Sequence, residues 1–308
     1  KGKEKININQ CLNTGWLSPS GNFVNNFEKK LEEFTNSNVI CCNSGTSALH
    51  ISLVSAGVKF DDEVIVPSVT FIATVNTILY CGARPVFMDC DESLCVDSNK
   101  LLEFLKKNTY SIKKNTYNIN TKKKISAVMV THVFGNLVNL KEVAKECKKK
   151  NIKLIEDAAE SLGSCYSNQN IHSGTIGDYG VLSFNVNKII TAGAGGAILF
   201  KNTSDKIKIK RLISQGKTNN LLFKHKLLGY NYGMPNTNAA IGSAQLENIK
   251  YILKKKNKIN SHYSDFFSKT KNIKMNELKD NQKINNWLNV IKINEIDYVN
   301  FKKGINQL

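Results

Sequence analysis

Arginine is almost missing from this 308-residue chain: Arg84 and Arg211 stand alone among 43 basic residues. The net charge of +18 at pH 7 is therefore carried by lysine, without the bidentate fork that reads phosphates and bases. That argues against a nucleic-acid partner. Lysine with abundant asparagine and isoleucine looks like the codon bias of an AT-rich genome. The runs Lys122-Lys123-Lys124, Lys148-Lys149-Lys150 and Lys254-Lys255-Lys256 fall on loops and helix faces. They read as solvated surface, with attraction for small anions as a by-product.

Other absences narrow the field. No apolar run approaches the ~20 residues that span a bilayer, so no membrane is expected, and no secretory leader opens the chain. Lys1 is not an initiator methionine, which points to a trimmed or processed start. The eight cysteines lack metal-ligand spacing, with Cys41 and Cys42 adjacent and the rest scattered. They read as free thiols in a reducing cytoplasm. His50, His172, His225 and His262 form no cluster, and there is no internal repeat.

What is present is a hydrophobic content of 41% and a mean hydropathy of −0.28, as in soluble globular proteins. The length allows one large domain and a smaller second one. Residues 4–14 read as a short helix. Phe23, Phe27, Leu31 and Phe34 mark one face of an amphipathic helix. From Val39 onward strands and helices alternate: strands at Val39–Cys42, Glu63–Pro67, Arg84–Met88, Ser126–Thr131, Lys153–Glu156, Gly180–Phe184 and Gly195–Phe200, with helices between most of them. Tyr110–Lys124, rich in Asn and Lys, reads as a surface loop. Alternation of this kind predicts an α/β fold with a mostly parallel sheet flanked by helices. A division at 248/249 is expected, with a linker helix over Lys250–Lys269 and then a strand over Asn286–Ile293 that opens a small, incomplete α/β domain.

Ligands in such folds gather at the carboxyl ends of strands, which directs attention to the loops after Cys42, Pro67, Thr131, Glu156 and Phe184. Asn43-Ser44-Gly45-Thr46-Ser47 joins a strand to an apolar helix. It either caps that helix or offers free N–H groups and the helix dipole to a phosphate. Phe71 follows a strand end and either packs in the core or stacks on a planar ligand. Asp157 ends a strand, where a carboxylate caps a helix or keeps a cofactor's ring nitrogen protonated. Lys188 stands between a short strand and the glycine-rich run Gly193-Ala194-Gly195-Gly196; a lysine so tethered can form a Schiff base with an aldehyde cofactor. Ser183 and Asn185 flank it as polar groups able to hold a phosphate or brace the turn. His132 invites an acid–base role, although a satisfied structural histidine is the better reading.

Together these motifs resemble the fold type I pyridoxal-phosphate enzymes, and within them the DegT–StrS family of nucleotide-sugar aminotransferases. The resemblance runs from about Gly15 to Asn286. It rests on Asn43–Leu49, Pro67–Thr74, Glu156–Ser161, Gly177–Gly180, Ser183–Asn185 with Lys188, and Gly229–Tyr232. It implies that Lys188 holds pyridoxal 5′-phosphate and shuttles the proton, and that Asp157 pairs with the pyridine nitrogen under a stacked Phe71. Gly45, Thr46 and Ser183 would hold the phosphate. Asn231 would reach the phosphate of a neighbouring subunit in a homodimer with shared active sites. Glu160 stands where many relatives carry glutamine, near the cofactor's phenolic oxygen, which would make that contact depend on a proton.

The implied reaction moves an amino group from glutamate to a nucleotide-linked keto sugar. The wording of Glu156–Gly163 and Gly177–Lys188 looks like that of enzymes aminating C4 of 4-keto-6-deoxy sugars for legionaminic-acid-type surface glycans. The rivals are a sugar dehydratase of the same fold, which would replace Lys188 by histidine, and a non-catalytic or regulatory homologue. Val186, Ala192, Ala194 and Gly233 depart from the family pattern, Gly233 where many relatives have arginine.

Overall fold

The computed structural model of the chain describes residues 2–166, 170–219, 224–270, 272–275, 282–293, 298 and 302. Its elements run α1 (Glu4–Thr14), α2 (Asn22–Thr35), β1 (Asn38–Cys42), α3 (Gly45–Ala56), β2 (Glu63–Pro67), α4 (Ile72–Tyr80), β3 (Arg84–Met88) and α5 (Ser98–Lys107). After them come β4 (Thr109–Ile112), β5 (Asn115–Asn118), β6 (Lys124–Thr131), α6 (Lys141–Lys149), β7 (Lys153–Asp157), β8 (Cys165–Tyr166), β9 (Ile171–His172), β10 (Tyr179–Ser183) and β11 (Gly196–Phe200). The remainder comprises α7 (Asp205–Ile213), β12 (Lys217–Asn219), β13 (Lys224–His225), α8 (Asn236–Glu247), α9 (Ile249–Phe267), β14 (Ile273–Met275), β15 (Gln282–Lys283) and β16 (Ile291–Ile293).

The central sheet has the order β1-β11-β10-β7-β6-β2-β3. From β10 to β3 every pairing is parallel, while β11 runs antiparallel to both its neighbours. The expected α/β architecture, a mostly parallel sheet covered by helices, is what the chain adopts. Each central strand feeds two cores with a period of two residues. Ile40, Met129, Ile155, Val181 and Ile198 pack on one face, towards α3, α4 and α7. Val39, Leu182, Ala197 and Leu199 face α2 and α8, and Val128, Val130 and Leu154 pack beside α5 and α6.

Two expectations need correction. The Asn/Lys-rich stretch at Tyr110–Lys124 is not a plain loop: β4 and β5 form a hairpin, and β5 pairs with the start of β6. Tyr110 and Tyr117 sit directly across from each other with rings stacked at 5.7 Å. Such a cross-strand aromatic pair favours a ladder despite polar neighbours. The strand expected over Asn286–Ile293 shrinks to β16, which pairs with β14. Residues 285–287 instead bond to the loops that follow β7 and β10. Much of the rest of the expected second domain lies outside the described residues.

Gly180, in the motif Gly177–Gly180, has a steric reason. A Cβ there would lie 1.9 Å from the Gly174 carbonyl oxygen, so any side chain would push the segment after β9 off β10. Among the described residues, no helix is long and apolar enough to cross a membrane.

Candidate active site

The carboxyl ends of β1, β7 and β10, with the loop after β2, surround a cavity of about 230 Å³. Its lining includes Gly45, Thr46, Phe71, Asp157, Glu160, Ser183, Asn185 and Lys188. All of the residues singled out from the sequence as cofactor ligands meet there, except Asn231. That residue is exposed on the loop before α8, outside this lining. Its carbonyl accepts a hydrogen bond from the Asn43 amide at 3.3 Å.

The turn into α3 caps its helix, the first of the two purposes considered for it. The Ser44 hydroxyl caps the helix, accepting from the Ser47 N–H at 3.0 Å. The N–H groups of Gly45 and Thr46 are left without an acceptor among the described residues, as a helix start requires of some of its donors. Gly45 is needed for closeness: a Cβ on it would lie 3.0 Å from the Ser183 Cβ. The Ser183 hydroxyl oxygen would lie 3.1 Å from that Cβ, and Ser183 shares the cavity wall with Gly45 and Thr46. Together they have the donor chemistry of a small anion cradle.

Asp157 ends β7 and is buried. One carboxylate oxygen accepts from the Thr74 hydroxyl at 2.7 Å, the other from the Ala159 N–H at 3.1 Å. Burial raises its pKa against those bonds and the charge of Lys188. A buried carboxylate in this state gains from a cation placed in the cavity. Phe71 is 68% exposed and immediately precedes α4. It is an aromatic face at the cavity rim, not a core residue.

Lys188 sits in a tight excursion between β10 and β11. The Phe184 and Gly195 backbones pair at its base, and the Asn185 side chain accepts from the Val186 N–H at 2.8 Å. Asn185 therefore braces the turn, as one of its two expected roles required. The lysine Nζ lies 3.7 Å from Glu160 Oε1. Burial lowers its pKa, opposed by the charges of Glu160 and Asp157. Burial likewise raises Glu160, whose other oxygen accepts from the Phe134 N–H at 2.7 Å. Phe134 makes that bond from a left-handed backbone, φ +58°, a conformation a bulky residue rarely adopts.

His132 lies apart from this chemistry. It is fully buried, its Nε2–H donates to Glu156 at 2.9 Å, and its Nδ1 accepts from the Val138 N–H at 3.2 Å. It is a satisfied structural histidine. Among the family departures, Val186 is exposed and Ala192 buried, while Ala194 lines the cavity.

Sequence reasoning missed Thr74, although the motif Pro67–Thr74 contained it, and it missed Trp287. The indole of Trp287 closes one side of the cavity, with Lys188 Nζ 4.0 Å from its ring centroid. One signal was available: Trp287 is one of two tryptophans in the chain and sits in a polar segment.

The donor set fits pyridoxal phosphate group by group. A lysine whose pKa burial lowers suits the aldehyde, a buried carboxylate the ring nitrogen, an aromatic face the ring, and two free amides with a hydroxyl the phosphate. The chain is similar to known proteins of this kind. The family model described as DegT/DnrJ/EryC1/StrS aminotransferase matches residues 1–305. A GDP-perosamine synthase from Caulobacter vibrioides is 36% identical over 80% of this chain and 62% of its own length. One from Escherichia coli O157:H7 is 35% identical over 85% and 68%. A UDP-4-amino-4,6-dideoxy-N-acetyl-beta-L-altrosamine transaminase from Campylobacter jejuni is 34% identical over 85% and 66%. The chain thus spans roughly two thirds of the length of these relatives. The solved structure of Helicobacter pylori PseC, an aminotransferase involved in the biosynthesis of pseudoaminic acid, superposes with a TM-score of 0.85 at 25% identity, over 98% of this chain and 78% of that one. The chain belongs to the DegT/DnrJ/EryC1/StrS aminotransferase family, whose cofactor is pyridoxal phosphate.

Proposed function

We propose that the protein is an aminotransferase that moves an amino group from glutamate to a nucleotide-linked 4-keto-6-deoxy sugar in surface-glycan biosynthesis. The observation that carries this reading is Lys188, held in one cavity with Asp157, Phe71 and the Gly45–Thr46–Ser183 cradle. The names of the similar proteins, perosamine synthases and an amino-sugar transaminase, support the sugar class. Bound pyridoxal phosphate supplies an electron sink that lets a proton leave the carbon carrying nitrogen. The protein's own residues do the rest. Lys188 holds the cofactor through Nζ and, when released, carries the proton to and fro. Asp157 keeps a positive charge on the ring nitrogen, and Phe71 covers the ring. Gly45, Thr46 and Ser183 anchor the phosphate. Glu160, raised by burial, would serve the phenolic oxygen, donating or accepting according to its own proton.

The reading includes a homodimer in which Asn231 serves the neighbouring subunit's phosphate. Its support is the exposure of Asn231 outside the cavity and an apolar surface on α4 and β3: Ile72, Leu79, Tyr80 and Phe87 are all more than half exposed. A reducing cytoplasm is the compartment assigned, in keeping with eight free cysteines.

The first test is to add pyridoxal phosphate to the purified chain. A band in the visible to near-ultraviolet should appear and be absent in Lys188→Ala; its absence from the wild type would remove the enzyme reading. Glutamate should then bleach the band, and a failure to do so would discard glutamate as donor. Incubation with UDP-, GDP- and dTDP-linked 4-keto sugars, scored by product mass, identifies the acceptor.

A further inference from the structure

Trp287 arrives at the cavity from a distant part of the chain, held at several points. Asn285, fully buried, donates its side-chain amide to the carbonyls of Glu160 (2.8 Å) and Leu162 (3.0 Å). Its own amide oxygen accepts from the Trp287 N–H at 2.9 Å. That oxygen lies 2.0 Å from where a Cβ on Gly135 would be, and Gly135 has φ +95°; only glycine leaves room for the segment to cross there. The Trp287 indole N–H then donates to the Asn187 carbonyl at 2.7 Å, one residue before the lysine. The ring is thus oriented from two sides, with Lys188 Nζ at 4.0 Å from its centroid.

We propose that Trp287 is the positioning residue for Lys188 whenever that lysine is not bonded to the cofactor, its ring face seating and stabilising the ammonium. This rests on the reading of Lys188 as the cofactor lysine. Burial alone would leave the free lysine a weak base, poorly able to take a proton from a substrate carbon. An aromatic face within about 6 Å restores part of the lost stabilisation without admitting water. The other charged groups facing Nζ are Glu160 and Asp157. Among the described residues, no further titratable side chain lines the cavity. The seat also keeps Nζ beside Glu160, 3.7 Å from its Oε1.

The test is competitive acetylation of the full chain with acetic anhydride across pH, before any cofactor is added, scored by mass on the Lys188 peptide. Trp287→Leu should lower the titration midpoint of Lys188 by about half a unit to one and a half units. Trp287→Phe, which keeps a ring face, should stay within a few tenths of a unit of wild type. A wall without this role would only admit water on substitution, hydrate the ammonium and move the midpoint up. An unchanged or raised midpoint in Trp287→Leu therefore overturns the proposal. Should that variant misfold, the emission of Trp287 in a Trp16→Phe background provides a second measure. It should titrate with the Lys188 midpoint and lose that titration in Lys188→Met; a pH-independent emission overturns the proposal. Adding pyridoxal phosphate afterwards separates the two claims, since a chain that never forms the visible band fails as an aminotransferase whatever the acetylation midpoints are.

Discussion

Glu156 and Asp157 are neighbours at the end of β7, both buried, and their side chains are treated in opposite ways. Glu156 accepts from His132 Nε2–H at 2.9 Å and from the N–H groups of Gly174, Ile176 and Gly177 at 3.0, 2.7 and 2.5 Å. Burial pushes its pKa up, but those bonds, led by His132, hold it below the usual range. Asp157 has two donors, and burial wins. A carboxylate saturated by its own chain has no capacity left for a ligand. One left short of partners in a cavity wall is a group the fold keeps for something else. The strand's alternation separates the two: one side chain braces the fold and the next meets the cavity.

Exchanging each carboxylate for its amide should break the pair apart. Asp157→Asn should lower kcat/KM by about 10³-fold, roughly 4 kcal/mol of transition-state stabilisation, and leave the urea unfolding free energy within about 1 kcal/mol of wild type. Glu156→Gln should do the reverse. It turns an N–H group towards donors that already fill the site, costing about 3 kcal/mol of stability, while the folded fraction still takes up cofactor. If both variants lose activity with stability intact, Glu156 belongs to the site and the contrast is wrong.

His172 sharpens the comparison by a third route, burial in the neutral state. Its Nε2 accepts from the Gly163 N–H at 2.8 Å, and Nδ1–H donates to the Ser173 carbonyl at 2.6 Å. Burial takes its pKa down to about 4. The unfolded chain, with a histidine pKa near 6.5, therefore binds the proton first as pH falls. Stability from this group is whole above about pH 6.5 and lost as pH drops through about 4. At pH 5 the loss is about 2 kcal/mol. Urea midpoints at pH 7 and pH 5 should show that extra loss in wild type and not in His172→Gln, whose amide does not titrate in this range. The smallest effect expected is that of Thr74→Val. Removing the hydroxyl that donates to Asp157 should raise that carboxyl further and move the acid limb of the kcat/KM profile up by about one unit.

The candidate-site half of this contrast was legible in the chain because it is local. Lys188, Phe71 and the Gly45 turn each follow a strand and Asp157 ends one, and parallel strands bring their carboxyl ends together wherever they lie in sequence. The bracing side was less visible. Glu156 takes its donors from the loop at Gly174–Gly177 and from His132, and nothing in the residue types announces that convergence. Trp287 was hidden for a similar reason: its short polar segment resembles the beginning of a strand, and the glycine that admits Asn285 lies 150 positions earlier. The β4–β5 hairpin was obscured by composition, since Asn and Lys conceal the alternation that its tyrosines carry.

The crossing of Asn285 over Gly135 also sets an order in time. As the chain leaves the ribosome, the strands that carry Asp157 and Lys188 are made well before the residues that close the cavity beside them. Until position 287 has been synthesised, Lys188 faces water where the indole will stand, and the Glu160 and Leu162 carbonyls lack the amide that ties them to that side. A chain that stops before that position would therefore carry the lysine without the indole beside it, and with the Glu160 and Leu162 carbonyls untied on that side.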